Sequence, residues 1–167
     1  KISDKFNCEF IKRPKKLTTD KSPEILSWKH AVSYVKKNYS KNFLFISLPI
    51  TAPLRKEIDV NKCIREVLKK NKVLALTITR TYVDPYFNML VEQNSRISPF
   101  YSNYKRYNLR SKNNFYCTTT VSYVSKSKFI EKSNNLFKGK ISFVKVPFPR
   151  SIDIDTLNDL KIARSFF

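Results

Sequence analysis

Ser151-Ile152-Asp153-Ile154-Asp155-Thr156, close to the carboxyl end, is the stretch that decides how this chain reads. In an extended strand successive side chains alternate faces, so Ile152 and Ile154 turn into a core while Asp153 and Asp155 point together to the other side. Two carboxylates on one face make a site for a hard divalent cation, typically Mg²⁺, which accepts one or two carboxylates and takes its other ligands from water and phosphate oxygens. Thr156 then fits as an N-cap, with Asp159 three residues on, and Leu157, Leu160, Ile162, Ala163 and Phe166 give a closing helix an apolar side. The acidic pair therefore falls at the carboxyl end of a strand, just before a helix, the edge at which open α/β sheets bind ligands. The spacing also suits a solvated strand end followed by a helix cap. Context separates the two: the pair is acidic in a chain of formal net charge +20 with only 13 Asp plus Glu residues.

Upstream of this segment, apolar periodicity sets the expected elements. Lys1 to Phe6 reads as the end of a helix leading into a short strand at Cys8 to Ile11. Arg13 to Pro23 is loop, with Pro14 and Pro23 as breakers. From Pro23 to Tyr39, Ile25, Leu26, Trp28, Ala31, Val32 and Val35 recur at helical spacing. Phe43 to Leu48 is an apolar run of strand length, the mark of a strand buried on both faces in a parallel sheet. A second amphipathic helix is expected from about Val60 to Lys70, followed by an alternating strand from Val73 to Thr79. Tyr82 to Val91 reads as loop and short strand, Phe115 to Val124 as strand, Lys126 to Glu131 as short helix and Ile141 to Val146 as strand. Strands alternating with helices, and a β-rich insertion before the last pair, argue for an α/β fold: a three-layer α/β/α sandwich with a mainly parallel sheet. The 167 residues suit a single domain, with no boundary that splits off a second.

With 41% hydrophobic residues the chain is too apolar to be disordered, and it has no run of 18 or more apolar residues to span a bilayer. A soluble protein is expected. Cys8, Cys63 and Cys117 are odd in number and far apart, which fits a reducing cytoplasm and excludes a disulfide framework or a zinc site. The charge invites a nucleic-acid reading. The Lys and Arg residues are spread along the chain rather than gathered in one stripe, however, and the bias toward Lys, Asn, Ile, Phe and Tyr is that of an AT-rich genome. A polyanion-binding protein without catalysis is therefore the alternative reading, and nucleic acid is not the expected partner.

Four pieces, in order, go beyond generic α/β: Arg13-Pro14-x-x-Leu17-x-x-Asp20 with a helix carrying His30-Ala31, Leu48-Pro49-Ile50-Thr51-Ala52-Pro53-Leu54-Arg55, Tyr116-Cys117-Thr118-Thr119-Thr120-Val121-Ser122-Tyr123-Val124, and the Ser-Ile-Asp-Ile-Asp-Thr stretch. Together they resemble the acylneuraminate cytidylyltransferases, the CMP-sialic acid synthetase family, and most of all its branch acting on bacterial nonulosonic acids such as legionaminic acid. The resemblance covers nearly the whole chain. It implies a nucleotide-diphosphosugar-transferase-like fold, a homodimer, and transfer of CMP from CTP to a nonulosonic sugar acid with release of pyrophosphate and with Mg²⁺ as cofactor. It further implies that Asp153 and Asp155 hold the metal and that Arg13 and the backbone near Ser22 border the cytosine. Thr51 and Arg55 would lie beside the sugar, and Tyr123, Leu136 and Phe137 would line a wall for its acyl group. The insertion from about Arg80 to Tyr116 would supply the dimer contact, with Arg106 or Arg110 reaching the sugar carboxylate.

Each of these residues has an ordinary reading as well. Arg13 suits a surface loop, His30 a helix packing position, Tyr123 and Phe137 a core, and Thr51 and Arg55 a strand end before a helix. The chain also departs from the pattern. Pro49 stands where many members carry a sugar-contacting glutamine, and Thr119-Thr120 replaces an Asn-Gly pair. The family's opening strand and its glycine- and lysine-containing triphosphate loop have no counterpart, and Gly139 is the only glycine present. The expectation is thus the N-terminally truncated, C-terminal portion of such an enzyme.

Overall fold

The computed structural model describes residues 2–19, 21–69, 71–101 and 114–167. Five helices run through it: α1 (Ile2–Lys5), α2 (Glu24–Asn38), α3 (Glu57–Leu68), α4 (Ser127–Lys132) and α5 (Leu157–Arg164). The strands are β1 (Leu44–Ser47), β2 (Leu74–Thr81), β3 (Leu90–Gln93), β4 (Arg96–Pro99), β5 (Phe115–Lys126) and β6 (Ile141–Lys145). The described residues thus form an α/β structure with a mixed four-stranded sheet of order β1-β5-β2-β6, and a separate hairpin of β3 and β4.

The sheet is not mainly parallel in its pairing. β6 joins β2 in parallel, but β5 lies antiparallel between β1 and β2. β1, β2 and β6 consequently share one direction and β5 opposes them. β5 follows the β3–β4 hairpin in sequence and pairs antiparallel beside β2.

Alternation along the strands assigns the two faces. Leu44, Ala75, Val124 and Val144 turn toward Cys63, Ile64 and Val67 of α3. Leu74, Leu76, Ile78 and Tyr123 turn the other way, where Trp28 and Val32 of α2 and Ile130 of α4 pack with Phe43, Phe45 and Phe129. At Gly139 an added Cβ would lie 2.5 Å from Val73 Cγ2 and 2.7 Å from Phe129 Cε2, so the turn into β6 approaches this core more closely than any side chain allows. Burial also pushes the Cys63 thiol up to about 12, which makes it an inert packing residue.

Three local expectations are corrected. Cys8 to Ile11 forms no strand. The Phe43 to Leu48 run is not buried on both faces: among the described strands β1 pairs only with β5, and Ile46 and Leu48 are exposed. Asp153 and Asp155 lie on an irregular extended segment rather than a sheet strand, because a 3-10 turn at Phe148–Ser151 intervenes after β6 and the Ile154 N–H donates to the Thr51 carbonyl at 2.8 Å. The Arg106 and Arg110 positions lie outside the described residues.

The segment is held by a buried ion pair that no sequence motif announced. Arg150 Nε donates to Asp59 Oδ2 at 2.8 Å and its Nη2 to Oδ1 at 2.9 Å, while the Lys56 N–H donates to the same Oδ2 at 3.1 Å. Asp59 stands in the first turn of α3, where an acidic side chain complements the helix dipole. The Asp59 side chain is only 1% exposed, against 23% for Arg150. Arg150→Ala strands a buried carboxylate and is expected to lower stability by roughly 3–5 kcal/mol. Asp59→Ala leaves a cation that can reach water and should cost distinctly less. Urea denaturation of both variants measures this, and equal losses would contradict the asymmetry.

Candidate functional site

Two chain segments converge at the carboxyl end of β1. The loop from 48 to 56 follows β1 directly, and its Ala52 is buried against Val121 of β5 and Val146 just past β6. From this anchored loop the Thr51 carbonyl accepts the Ile154 N–H, so the loop and the acidic segment are joined backbone to backbone. Arg55 folds its guanidinium back onto the Pro49 carbonyl, closing the loop on itself. Burial lowers the pKa of that guanidinium, and its Nε has no partner among the described residues.

Ile152 is buried and Asp155 exposed, as alternation requires, with Asp153 half-buried between them. One Asp153 carboxylate oxygen, Oδ1, is buried and accepts no hydrogen bond from any described residue. Buried polar atoms are nearly always satisfied, so this oxygen calls for a partner beyond the described residues, water included. The Asp155 side chain is open to solvent, and its N–H donates to Asp159 Oδ2 at 3.3 Å. The expected cap is present: Asp159 N–H donates to Thr156 Oγ1 at 3.3 Å and Thr156 N–H to Asp159 Oδ2 at 2.8 Å. The Thr156 hydroxyl, donating to Asp159 Oδ2 at 2.7 Å, and then the Thr156 and Asp155 N–H groups hold the Asp159 carboxyl below its usual range. With Asp159 committed to the helix end, the two remaining carboxylates are free to act on a ligand. No group of three metal-ligating side chains occurs among the described residues. A cation here would take at most the two carboxylates, the ligand set Mg²⁺ tolerates.

Tyr123 stands opposite Ser47 of β1 and Leu76 of β2, at the centre of the sheet. Burial raises the pKa of its phenol, and the charges of Glu24 and Asp153 raise it further. The charge of Asp153 thus reaches the Tyr123 phenol. Trp28 packs on Tyr123 with ring centroids 5.2 Å apart, and its indole N–H donates to Glu24 Oε1 at 3.2 Å. Glu24 and Trp28 were not singled out from the sequence. Their i, i+4 spacing at the start of an amphipathic helix was the available signal.

The other candidates divide. Leu136 is half-buried in the cluster that contains Tyr123, whereas the Phe137 ring is 60% exposed. Arg13 is exposed, donates from Nη1 to Ser27 Oγ at 3.3 Å, and borders a shallow hollow of about 240 Å³ with Glu24, Trp28 and His30. Ser22 precedes α2, and its buried hydroxyl has no partner among the described residues. Arg13, Glu24 and Trp28 thus share one hollow, and Thr51 is joined to the acidic segment through Ile154.

No family model matches the chain. A similarity is found to the N-acylneuraminate cytidylyltransferase of Escherichia coli O18:K1:H7, with 22% identity over 164 residues, covering 97% of this chain and 38% of that protein. The chain therefore spans well under half the length of that relative. The similarity runs across α2, the 48–56 loop, β5 and the acidic segment alike.

An unsatisfied buried carboxylate oxygen costs the fold about 1–3 kcal/mol when nothing is bound. Asp153→Asn removes the charge at almost constant volume and is expected to hold or raise stability, by up to about 1 kcal/mol. Thermal denaturation in metal-free buffer measures it. A clear loss of stability would show that the carboxylate serves the fold instead of a ligand.

Proposed function

We propose that this chain carries the acceptor side of a nucleotidyltransferase that moves CMP from CTP to a nonulosonic sugar acid and releases pyrophosphate. The observation that carries the reading is the orphaned oxygen of Asp153, whose charge reaches the Tyr123 phenol, on a segment tied through Ile154 to the Thr51 loop. The sequence similarity across 97% of the chain supports it. Asp153 and Asp155 hold Mg²⁺ in this reading, and the metal, when bound, neutralises phosphate charge and lowers the pKa of the attacking hydroxyl. Arg13 and the backbone near Ser22 border the cytosine. Thr51 and Arg55 border the sugar, Arg110 meets its carboxylate, and Tyr123, Leu136 and Phe137 form the wall against its acyl group. Trp28 and Glu24 position Tyr123 within that wall.

The wider architecture follows the same reading: a three-layer sandwich of the nucleotide-diphosphosugar-transferase kind, with the β3–β4 hairpin in an insertion that pairs two copies. An isolated two-stranded sheet is only marginally stable in water. This hairpin exposes Leu90 and Ile97, with Phe100 exposed just beyond it, an apolar surface that a second copy would cover.

Pyrophosphate release is measured with CTP, Mg²⁺ and a panel of sialic, legionaminic, pseudaminic and 3-deoxy-octulosonic acids, using the full native polypeptide that contains this chain. Release is expected with a nonulosonic acid, to vanish with EDTA, and to fall on the order of a hundredfold or more in Asp153→Asn and Asp155→Asn. Release that ignores both aspartates, or none with any sugar acid, would remove the proposal.

A further inference from the structure

A second feature lies on elements that the candidate site does not use. β6 is the outer strand of the sheet on one side, and no other described strand pairs with it there. The Val146 N–H donates to the Ile78 carbonyl and the Lys140 carbonyl accepts the Val73 N–H, so the even-numbered residues direct their backbone groups toward β2. In a strand the backbone groups of the intervening residues then point the opposite way. Those of Phe143 and Lys145 face the open edge, and the Ile141 carbonyl is capped at 3.2 Å by the Lys72 ammonium. Natural proteins cover or blunt such edges, and an edge left open is a template for another strand.

This edge runs beside a basic helix face. Lys62, Arg65 and Lys69 recur on one side of α3, and with Glu66, Phe143, Val144 and Lys145 they line a hollow of about 440 Å³. Glu66 is already engaged: Lys69 and Ser142 bond its carboxylate and hold it below its usual range. Lys62, Arg65 and Lys145 have no carboxylate partner among the described residues. The Phe143 ring is 51% exposed, an apolar contact at the middle of the edge. Because α3 connects β1 to β2, which run in the same direction, its axis lies along the strands. Helical rise sets Lys62, Arg65 and Lys69 about 5 Å apart, close to the roughly 6.6 Å between same-face side chains of an added strand.

We propose that the β6 edge and the basic face of α3 form a docking groove for an acidic segment in extended conformation, which adds to the sheet as a further strand. Unpaired main-chain groups supply the pairing, and Lys62 and Arg65 select for carboxylates at alternate positions, while Lys145, on the opposite face, lies over the Tyr116 ring. A nucleic acid could satisfy the cations but not the strand edge.

Fluorescence anisotropy tests this with a labelled, end-capped short peptide alternating glutamate and valine, a matched peptide alternating lysine and valine, and a labelled single-stranded oligonucleotide. Saturable binding of the acidic peptide alone is expected, weakening as salt rises. Lys62→Glu combined with Arg65→Glu should weaken it at least about tenfold. Phe143→Pro removes an N–H that faces the groove and none that faces β2, so it should abolish binding, whereas Phe143→Ala should retain part of it. Thermal denaturation checks that each variant is folded. Absence of saturable binding, equal behaviour of the proline and alanine variants, or equal or tighter oligonucleotide binding would each overturn the proposal.

Discussion

The Arg150–Asp59 ion pair is the constraint on which the candidate site depends. It joins residues 91 apart in sequence, one in the first turn of α3 and the other in the turn that leads to Asp153. On one side, Asp59 also takes the Lys56 N–H and so fixes where the 48–56 loop ends and α3 begins. On the other, Arg150 fixes the 3-10 turn from which the acidic segment starts. With both ends held, the Ile154 N–H meets the Thr51 carbonyl, and the charge of Asp153 reaches the Tyr123 phenol. Bidentate geometry offsets the cost of burying the charges and supplies direction as well, which a point contact between apolar residues would not.

The amphipathic elements were legible in the residues. Trp28 and Val32 are buried in α2 and Cys63 and Val67 in α3, where helical periodicity put them, and the Thr156–Asp159 cap formed as its spacing required. Neighbours were not legible. The apolar composition of Phe43 to Leu48 suggests burial on both faces, but which strands flank a segment is a tertiary fact, and among the described strands β1 pairs on one side only. β5 reads as a strand from its own pattern, yet its antiparallel direction shows only in its pairing with β1 and β2. The acidic segment is extended without joining the sheet, and its alternation is partial: Ile152 is buried and Asp155 exposed, but Asp153 and Ile154 are both half-buried.

The site shows the same division. Asp153 and Tyr123 were singled out from motif resemblance, and the charge of Asp153 is felt at the Tyr123 phenol. Glu24 and Trp28 were missed because Trp28 reads as core, which it also is: its ring packs on Phe45 and Tyr123 while its N–H orients Glu24. Asp59 and Arg150 were missed because an acidic residue in a first helical turn and a basic residue after a proline are each commonplace alone. Only their contact gives them meaning.

The central proposal is that Asp153 serves a metal-bound nucleotide sugar at a site that Tyr123 and Trp28 border. Trp28 is the only tryptophan in the chain, so its emission reports on that site directly. The most direct measurement is a Trp28 fluorescence titration with a CMP-linked nonulosonic acid, with and without Mg²⁺, on the native polypeptide and on Asp153→Asn. A saturable change that requires Mg²⁺ and is at least about tenfold weaker in the variant, at unchanged Tm, is the result the account predicts. No response, or the same response in both proteins, would contradict it.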